Sequence, residues 1–244
     1  MDKPKMIMFD YGNTLLCEPM FNTLKGQEAL SKYIKSNKNN LSPTQINVFS
    51  ENLFGKLRAA RESGFELHEW QFERFLYEYL EIELSITFSE AEKVFWDNTS
   101  SGEFMPNVDR LIDYLNENGI RSGVISNISF SGSALRERIN RLLPRNKFEF
   151  IIASSEYMFR KPNPMLFELA LKKAHLPAKD VWFCGDTIKT DIDGAASAGI
   201  FPVWYEDEVM ENPWRWESRD IVPHYEHLHI HDWNELIELL DRLS

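Results

Sequence analysis

The chain has 244 residues, of which 43% are hydrophobic and 27% charged, and its formal net charge is −11. This length suits one domain with a large insertion or two modest domains, and the composition argues against an intrinsically disordered chain. The negative charge repels phosphate backbones and disfavours a nucleic-acid partner, although a metal ion and local cations can still bind a small anion in a pocket.

Short apolar runs that end at turn or polar residues predict the strands of a buried parallel sheet. In chain order these runs cover residues 6–9, 122–125, 150–153, 181–184 and 201–205. Helical patterns lie between them from about residue 105 to 205, and this alternation is typical of βαβ units. The tail, residues 228–243, is predicted to add one short strand and a helix.

Residues 20–100 differ from the rest of the chain, because they combine helical periodicity with many aromatic side chains and few strand-like runs. We predict an α/β protein with a Rossmann-like parallel sheet core, formed by residues 1–16 and 103–244, and an inserted all-helical cap, residues 17–102. A lid in this position would exclude water and select the substrate. Arg58 and Arg61 could meet an anionic substrate there, but a solvated helix face is the favoured interpretation.

The cysteines and the apolar segments bear on the compartment. Cys17 and Cys184 are the only cysteines and lack a metal-type spacing, which favours a reducing, intracellular environment. The apolar positions before Asp10 are too few for a signal peptide, and no stretch approaches the ~20 apolar residues of a membrane span. We therefore expect a cytoplasmic protein without membrane contact.

Two features lie towards the carboxyl terminus. Residues 204–219 are rich in tryptophan, proline and acidic residues, and we expect them to form a long surface loop. Four histidines follow, His224, His227, His229 and His231. They resemble a metal-binding tract, but their alternation with other residues fits a short terminal strand, which is the favoured interpretation.

Polar residues follow the predicted strands at successive positions along the chain. Ligands of open parallel sheets bind beyond the carboxyl ends of the strands, so these residues are the candidates for chemistry. Each alone is typical of a turn or helix cap. Together they supply carboxylates, a hydroxyl and a cation, a set that can bind Mg²⁺ and phosphate. They are Asp10 with Gly12 and Thr14, Ser126 with Asn127, Lys161, and Asp186 with Asp191.

These clusters resemble the four signatures of the haloacid dehalogenase-like superfamily. Residues 9–15, Phe-Asp-Tyr-Gly-Asn-Thr-Leu, resemble the first, in which an Asp nucleophile is followed four residues later by Thr. Residues 124–127 resemble the second, 160–164 the third, and 185–191 with the following Gly-Ala-Ala the fourth. The resemblance covers about residues 1–20 and 100–240. The helical block is similar to the family's C1-type cap by position and character only.

The resemblance implies a Mg²⁺-dependent hydrolase, and most readily a phosphatase, that acts on a small phosphorylated metabolite as a monomer or homodimer. Asp10 would be the nucleophile that takes the phosphoryl group. The metal would be held by Asp10, Asp186 and the main-chain carbonyl of Gly12. Lys161 and Ser126 would hold the phosphoryl oxygens. Negative charge spreads over these oxygens in the transition state, and fixed hydrogen-bond donors and cations stabilise it most there.

The remaining motif residues are given supporting roles by the same resemblance. Thr14 would help to order the loop after the first strand, and Asn127 is placed with the ligand-binding residues. Asp191 would orient Lys161 or a bound water.

One position departs from the family pattern. Most phosphatases of the family carry a second Asp two residues after the nucleophile, which protonates the leaving group and then activates water, but here that residue is Gly12. Glycine keeps the carbonyl and lacks a side chain for proton transfer, a step typically worth ~10²–10⁴ in rate. Glu18 and His68 are the candidates for an acid supplied from elsewhere.

Three interpretations follow from Gly12. The protein could be a phosphatase that is slow or has its acid elsewhere. It could be phosphonatase- or dehalogenase-like, since such members also lack the second Asp. A dehalogenase would not use a metal, however, and the pair of Asp186 and Asp191 argues for one. It could be a catalytically impaired relative that binds a phosphometabolite or a protein. A phosphonatase would need a cap lysine for a Schiff base, from among Lys25, Lys32, Lys35, Lys38 and Lys56.

Overall fold

The structure is a computed structural model that describes residues 2–207 and 222–243. Its strands are β1 (Met6–Phe9), β2 (Leu16–Cys17), β3 (Ile34–Asn37), β4 (Ile82–Leu84), β5 (Glu103–Phe104), β6 (Arg121–Ser126), β7 (Ile151–Ala153), β8 (Val181–Gly185), β9 (Phe201–Tyr205) and β10 (Leu228–Ile230). Its helices are α1 (Thr23–Ser31), α2 (Pro43–Lys56), α3 (Arg58–Glu62), α4 (Glu69–Tyr79), α5 (Phe88–Thr99), α6 (Val108–Glu117), α7 (Gly132–Leu142), α8 (Pro164–Ala174), α9 (Asp193–Ser197) and α10 (Trp233–Arg242).

Within the described residues the central sheet has six parallel strands in the spatial order β10-β9-β8-β1-β6-β7. Strand β1 is internal, and its last residue, Phe9, lies beside Val124 of β6 and Cys184 of β8. All four residues of β1 are buried, as expected where helices cover both faces of a parallel sheet. The predicted α/β core is confirmed, and the tail contributes the predicted strand and helix.

Two apolar layers cover the two faces of the sheet. Ile7 and Phe9 belong to the layer that includes residues of α6, α7, α10 and the insert, whereas Met6 and Met8 belong to the layer under α8 and α9. This division follows from the alternation of side chains along a strand. Because the strands are parallel, their carboxyl ends meet at one edge of the sheet, and the polar motif residues come together there.

The insert contains helices α1 to α5, as predicted, and also one antiparallel pair, β3 with β4. The all-helical description of residues 17–102 is corrected in this detail. Residues 82–86 read Ile-Glu-Leu-Ser-Ile, a period-two pattern that buries one face of a strand and that helical periodicity cannot accommodate. An ion pair of 2.6 Å between Lys35 and Glu83 crosses the pair.

The two chain segments that lead into and out of the insert pair with each other. Leu16 of β2 lies opposite Phe104 of β5, and Cys17 lies opposite Glu103, in an antiparallel arrangement. The insert therefore begins and ends at one short ribbon beside the end of β1. The division of the chain into a cap of residues 17–102 and a core on either side is consistent with this ribbon and stays a prediction.

A buried arginine joins the insert to the core. Arg138 of α7 donates to both carboxylate oxygens of Glu18, at 3.0 and 2.6 Å, a bidentate geometry that is among the stronger polar contacts. It also donates to Asp97 at 3.1 Å and to the carbonyl of Ser100 at 2.7 Å. Its guanidinium lies 4.6 Å from the centroid of the Trp96 ring. One core side chain thus holds both linkers of the insert.

A second contact joins the insert to the segment before Lys161. The N–H of Glu66 donates to the carbonyl of Met158 at 2.7 Å, and the N–H of Arg160 donates to the carbonyl of Gly64 at 2.9 Å. The Glu66 carboxylate is buried and forms ion pairs with Arg160 and, at 2.9 Å, with Arg61. Arg61 therefore pairs with a side chain of the protein itself. Arg58 is exposed, and the solvated-face interpretation holds for this residue.

The insert contains three buried glutamates, and two of them bind the loop after β6. Glu69 accepts a hydrogen bond from the Ser129 hydroxyl at 3.1 Å, and Glu92 accepts one from the Ser131 hydroxyl at 2.6 Å. Glu73 is 3% exposed, and its Oε2 has no hydrogen-bond partner among the described residues. Burial and the neighbouring carboxylates raise the pKa of Glu69 from 4.5 to about 7 and hold the pKa of Glu73 well above its usual range.

These raised pKa values make the stability of the protein depend on pH. A carboxyl whose pKa rises on folding favours the folded state fully at pH values below its unfolded pKa, and this contribution is lost as the pH rises through the folded pKa. We expect Glu73→Gln to raise the free energy of unfolding at pH 8 by about 1–3 kcal/mol, because folding at this pH must either bury the carboxylate charge or protonate it, and glutamine requires neither. Urea unfolding at pH 8 and pH 5 measures the effect, which should shrink at pH 5. Glu78→Gln, on the exposed face of the same helix, is the control. An equal effect of Glu73→Gln at both pH values would contradict this account.

Three further sequence expectations can be compared with the structure. Both cysteines are free and buried. Among the described residues, no helix combines the length and the apolar character needed to cross a bilayer. Of the expected surface loop at 204–219, residues 204 and 205 belong to β9, and residues 208–219 lie outside the described part of the chain.

Candidate active site

The predicted site residues lie at the carboxyl edge of the sheet. Asp10 directly follows β1, and its N–H donates to the carbonyl of Cys184 at 2.9 Å, which extends the pairing with β8 past the end of the strand. Ser126 is the last residue of β6 and is buried, and Asp186 directly follows β8. The strand register places these three residues on neighbouring strands, at the position where ligands of such sheets bind.

Lys161 is the centre of the site. Its Nζ lies 2.6 Å from Oδ1 of Asp10 and 2.7 Å from Oδ1 of Asp191. The lysine is 2% exposed, Asp10 8% and Asp191 1%, so the charges face one another with little water between them. The sequence separates Asp10 from Lys161 by 151 positions, and the predicted contact between their motifs is present.

Asn127 binds the backbone of Lys161 through its side chain. Its side-chain oxygen accepts the N–H of Lys161 at 2.7 Å, and its amide nitrogen donates to the Lys161 carbonyl at 3.0 Å. Both polar atoms of this side chain are thus used by the backbone of one residue. Asn127 was predicted among the ligand-binding residues, and the structure shows a positioning contact instead, while a direct contact with a ligand stays a prediction.

A tight local turn fixes the position of the Asp191 side chain. It belongs to a single π-helical turn, Ile188–Ile192, of the kind often found at functional sites. Its Oδ2 accepts the N–H of Thr187 at 3.0 Å. Its Cβ lies close to the backbone of Gly185, so that a Cβ added to this glycine would be only 2.4 Å from the Cβ of Asp191. Only glycine fits at the end of β8 without a shift of the carboxylate.

The site carries more negative than positive charge. Oxygen atoms of Asp10, Asp186 and Asp191 all lie within 4.8 Å of one another, and Lys161 is the cation among them. Burial and the neighbouring Asp191 raise the pKa of Asp10 to about 6, against the opposing effect of Lys161. Burial and the charges of Asp191 and Asp10 raise the pKa of Asp186 to about 8. Burial opposes the charged form of Lys161, but the two carboxylates outweigh it and its pKa is raised.

This donor set fits a divalent cation. Hard cations such as Mg²⁺ take carboxylate and carbonyl oxygens, and a cation between Asp10 and Asp186 would relieve the repulsion that raises their pKa values. The buried hydroxyl of Thr14 has no hydrogen-bond partner among the described residues, so this loop also retains an unused polar atom. The main-chain carbonyl of Gly12 stays the predicted further ligand, and a Cβ placed at this glycine would meet only Oδ2 of Asp10, at 3.9 Å.

The two candidates for a substitute acid are engaged elsewhere. Glu18 is bound by Arg138 and also accepts a hydrogen bond of 2.5 Å from the Tyr11 hydroxyl. The Nδ1 atom of His68 accepts the N–H of Trp70 at 3.2 Å and so caps helix α4. These contacts give both side chains a structural role.

Sequence reasoning missed the polar contacts that support the site. Arg138 lies on the apolar face of α7 with Leu135 and Ile139, and a charged residue on such a face was a usable signal. Glu66 carries no comparable signal, because its partners outside the insert, Ser154 and Arg160, come from a distant part of the chain. Trp204 was also missed as a positioning residue, since its indole N–H donates to the Asp186 carbonyl at 3.2 Å.

Comparison with known sequences finds one matching family and several characterised relatives. A family model of haloacid dehalogenase-like hydrolases matches residues 65–204, more than half of the chain. A glyceraldehyde 3-phosphate phosphatase of Pyrococcus abyssi is 32% identical over 104 residues, 42% of each chain. The pyrimidine 5'-nucleotidase YjjG of Escherichia coli is 31% identical over 123 residues, 49% of this chain and 52% of that protein. The chain thus matches about half or less of these two relatives. A glyceraldehyde 3-phosphate phosphatase of Pyrococcus furiosus is 25% identical over 210 residues, 84% of this chain and 82% of that one.

Comparison with solved structures finds the same architecture. A 2-haloacid dehalogenase from Pseudomonas syringae covers 100% of both chains with a TM-score of 0.64 and 21% identity. A phosphatase from Thermococcus onnurineus covers 98% of both chains with a TM-score of 0.63 and 18% identity. At these identities the likeness concerns the fold alone.

Proposed function

The chain belongs to the haloacid dehalogenase-like hydrolase family, and from this premise we propose that it is a Mg²⁺-dependent phosphatase of a small phosphorylated metabolite. Asp10 takes the phosphoryl group, Lys161 and Ser126 hold its oxygens, and Asp186 with the Gly12 carbonyl completes the metal site. The observation that carries the proposal is the position of the Lys161 Nζ, 2.6 Å from Asp10 and 2.7 Å from Asp191, beside a third carboxylate within reach of one cation.

The reaction has two steps on Asp10. A carboxylate oxygen of Asp10 attacks the phosphorus, the bond to the leaving oxygen breaks, and that oxygen takes a proton from water. The phosphoryl group remains on Asp10 as an acyl phosphate. Water then attacks this acyl phosphate, releases inorganic phosphate and restores the carboxylate. Lys161 and Ser126 contribute most where charge builds up on the transferring oxygens. A bound Mg²⁺ would neutralise further charge on these oxygens. Asp191 orients Lys161, with which it pairs at 2.7 Å. The role of Thr14 in ordering the loop that carries Gly12 stays a prediction, because its hydroxyl has no partner among the described residues.

The substrate class is argued from the site and from the relatives. Glyceraldehyde 3-phosphate and pyrimidine 5'-nucleotides, the substrates named for three of the relatives, are small phosphate monoesters. A buried lysine that faces a metal-type carboxylate cluster suits the phosphoryl group that such molecules share. A panel of phosphorylated metabolites with Mg²⁺, scored by phosphate release, tests the proposal, and no release from any member would count against it.

A binding protein with impaired catalysis is the second candidate, and Gly12 is the observation that favours it. Proton transfer to the leaving oxygen needs a side chain, and both candidate substitutes, Glu18 and His68, are occupied by structural contacts. Such a protein would bind phosphate analogues without turnover. The phosphonatase-like alternative has less support, because the lysines weighed for a Schiff base are all exposed, namely Lys25, Lys32, Lys35, Lys38 and Lys56.

Removal of the metal separates the phosphatase from a dehalogenase-like enzyme. We expect EDTA to abolish phosphate release and added Mg²⁺ to restore it, because without the cation the charges of Asp10 and Asp186 repel the substrate anion. The thermal midpoint should rise on addition of Mg²⁺, since binding to the folded state alone stabilises it. Turnover that is unaffected by EDTA would contradict the proposed role of the metal.

A positioning role for Asn127 gives another expected result. Asn127→Ala removes both hydrogen bonds to the Lys161 backbone, and we expect kcat to fall roughly 10–100-fold, the usual effect of losing such a supporting contact. KM should change less, and the circular dichroism spectrum should be retained. Asn52→Ala, at an exposed position of α2, is the control. Unchanged kcat in Asn127→Ala would show that the lysine is held without this side chain.

A further inference from the structure

The outer edge of the sheet carries a second group of metal-ligating side chains. His229 of β10 pairs in register with Trp204 of β9, and the sequence around it alternates histidine with apolar residues. His229 and His231 therefore point to the same side of the strand, while Ile230 between them is buried. Glu206 directly follows β9, so its side chain lies at the same corner of the sheet as His231. The predicted terminal strand is confirmed, and it gathers the histidines.

The distances at this corner suit three side chains that share one metal ion. One nitrogen of His229, one nitrogen of His231 and one carboxylate oxygen of Glu206 lie within 4.8 Å of one another. The Nε2 of His229 is 3.1 Å from Oε2 of Glu206, and the two imidazole centroids are 4.5 Å apart. Side-chain rotations of a small size would bring three ligand atoms to the separations found around a tetrahedral ion.

Neighbouring groups already fix both rings. Trp204 stacks on His229 with 3.9 Å between ring centroids and 10° between planes. The Nδ1 of His231 lies 2.9 Å from the Glu206 carbonyl oxygen. A carbonyl can only accept, so Nδ1 carries the proton and the lone pair of the neutral ring is on Nε2. A hydrogen bond from the second ring nitrogen to a carbonyl is the usual support of a metal-binding histidine.

We propose that Glu206, His229 and His231 form a second metal site, here called the edge site, that binds a Zn²⁺-class divalent ion. Two imidazoles and one carboxylate are ligands that Zn²⁺ prefers, and three protein ligands leave a fourth position for water or a further donor. Mg²⁺ prefers oxygen ligands, so the edge site and the three-aspartate cluster select different ions. The two sites are joined through Trp204, which stacks on His229 and donates to the Asp186 carbonyl.

Titration of the full chain with Zn²⁺ in the presence of excess Mg²⁺ tests the edge site, because Mg²⁺ occupies the carboxylate cluster. Calorimetry should show one equivalent of Zn²⁺ bound. With Co²⁺ as the probe, the visible absorption should have the intensity of a four-coordinate ion with nitrogen ligands, which is much stronger than that of an ion held by six oxygens. Both readouts are independent of catalytic activity, so a protein that binds both metals without turnover would give the same result.

Variants assign the binding to the named residues. His229→Gln, His231→Gln and Glu206→Gln should each lower the Zn²⁺ affinity at least about tenfold, since loss even of a supporting contact costs that much. His175→Asn removes a histidine at the end of α8, in a left-handed conformation that Asn tolerates, and should bind Zn²⁺ as the parent does. Thermal unfolding without Zn²⁺ checks that each variant is folded. No Zn²⁺ binding by the parent chain, or unchanged affinity in folded His229→Gln, would overturn the proposal.

Discussion

Asp10→Asn is expected to abolish phosphate release, with a fall in kcat of roughly three orders of magnitude or more, as when a covalent nucleophile is removed from an enzyme. The amide is close in shape to the carboxylate but is a far weaker nucleophile, so no acyl phosphate forms. Lys161 keeps its second partner, Asp191, at 2.7 Å. The site should therefore retain its lysine while it loses the reaction.

The fold of this variant should be retained. The carboxylates of Asp10 and Asp186 repel each other and are poorly solvated, so removal of one charge should leave the thermal midpoint without Mg²⁺ unchanged or higher. Asp109→Asn, at a partly exposed position of α6, is the matched control and should keep full activity. Substantial turnover by Asp10→Asn, measured by phosphate release with Mg²⁺ and the best substrate of the panel, would rule out the proposed nucleophile.

Gly12→Asp is expected to raise kcat, by a factor of up to ~10²–10⁴, the usual contribution of general acid–base catalysis. The backbone has room for the change, because a Cβ at this position would meet only Oδ2 of Asp10, at 3.9 Å. The new carboxyl would stand two residues from the nucleophile, where it can protonate a leaving oxygen. The gain should be greatest for substrates with poor leaving groups.

Gly12→Asn separates proton transfer from simple occupation of space. It has nearly the same shape and cannot donate a proton as an acid does, so no gain is expected. Gly12→Asp should also lower the thermal midpoint without Mg²⁺, since it adds a fourth carboxylate to the cluster, and Mg²⁺ should restore it. A folded Gly12→Asp variant with no gain in kcat would show that the missing acid does not limit the reaction, and would favour the binding protein.

The core of the site was predictable because its residues follow strands of a parallel sheet. An apolar run that ends in Asp10, Ser126 or Asp186 specifies both the strand and the edge at which the polar residue appears. The register of a parallel sheet then brings such residues together without further information. The predicted sheet depends on this local pattern, whereas the contact of Lys161 with Asp10 was implied by the resemblance of residues 160–164 to the third family signature.

Other features depend on contacts between distant residues, and a local pattern does not specify the partners. The bidentate pair of Arg138 with Glu18 joins positions 120 residues apart. The role of Asn127 is visible only when the backbone of Lys161 lies against it. The β3–β4 pair was hidden by a helical reading of the insert, although the alternation at residues 82–86 was present in the sequence.

The pairing of Glu66 with Met158, and of Arg160 with Gly64, has a consequence for exchange of substrate and product. One of these backbone hydrogen bonds ends at Arg160, the residue directly before Lys161, and the other ends at Met158, two residues earlier. Any movement that lifts the insert from the sheet must therefore break them and expose the Glu66–Arg160 ion pair to water. Access to the site and the anchorage of its lysine are mechanically linked, so an open state would have a less firmly held cation than a closed one.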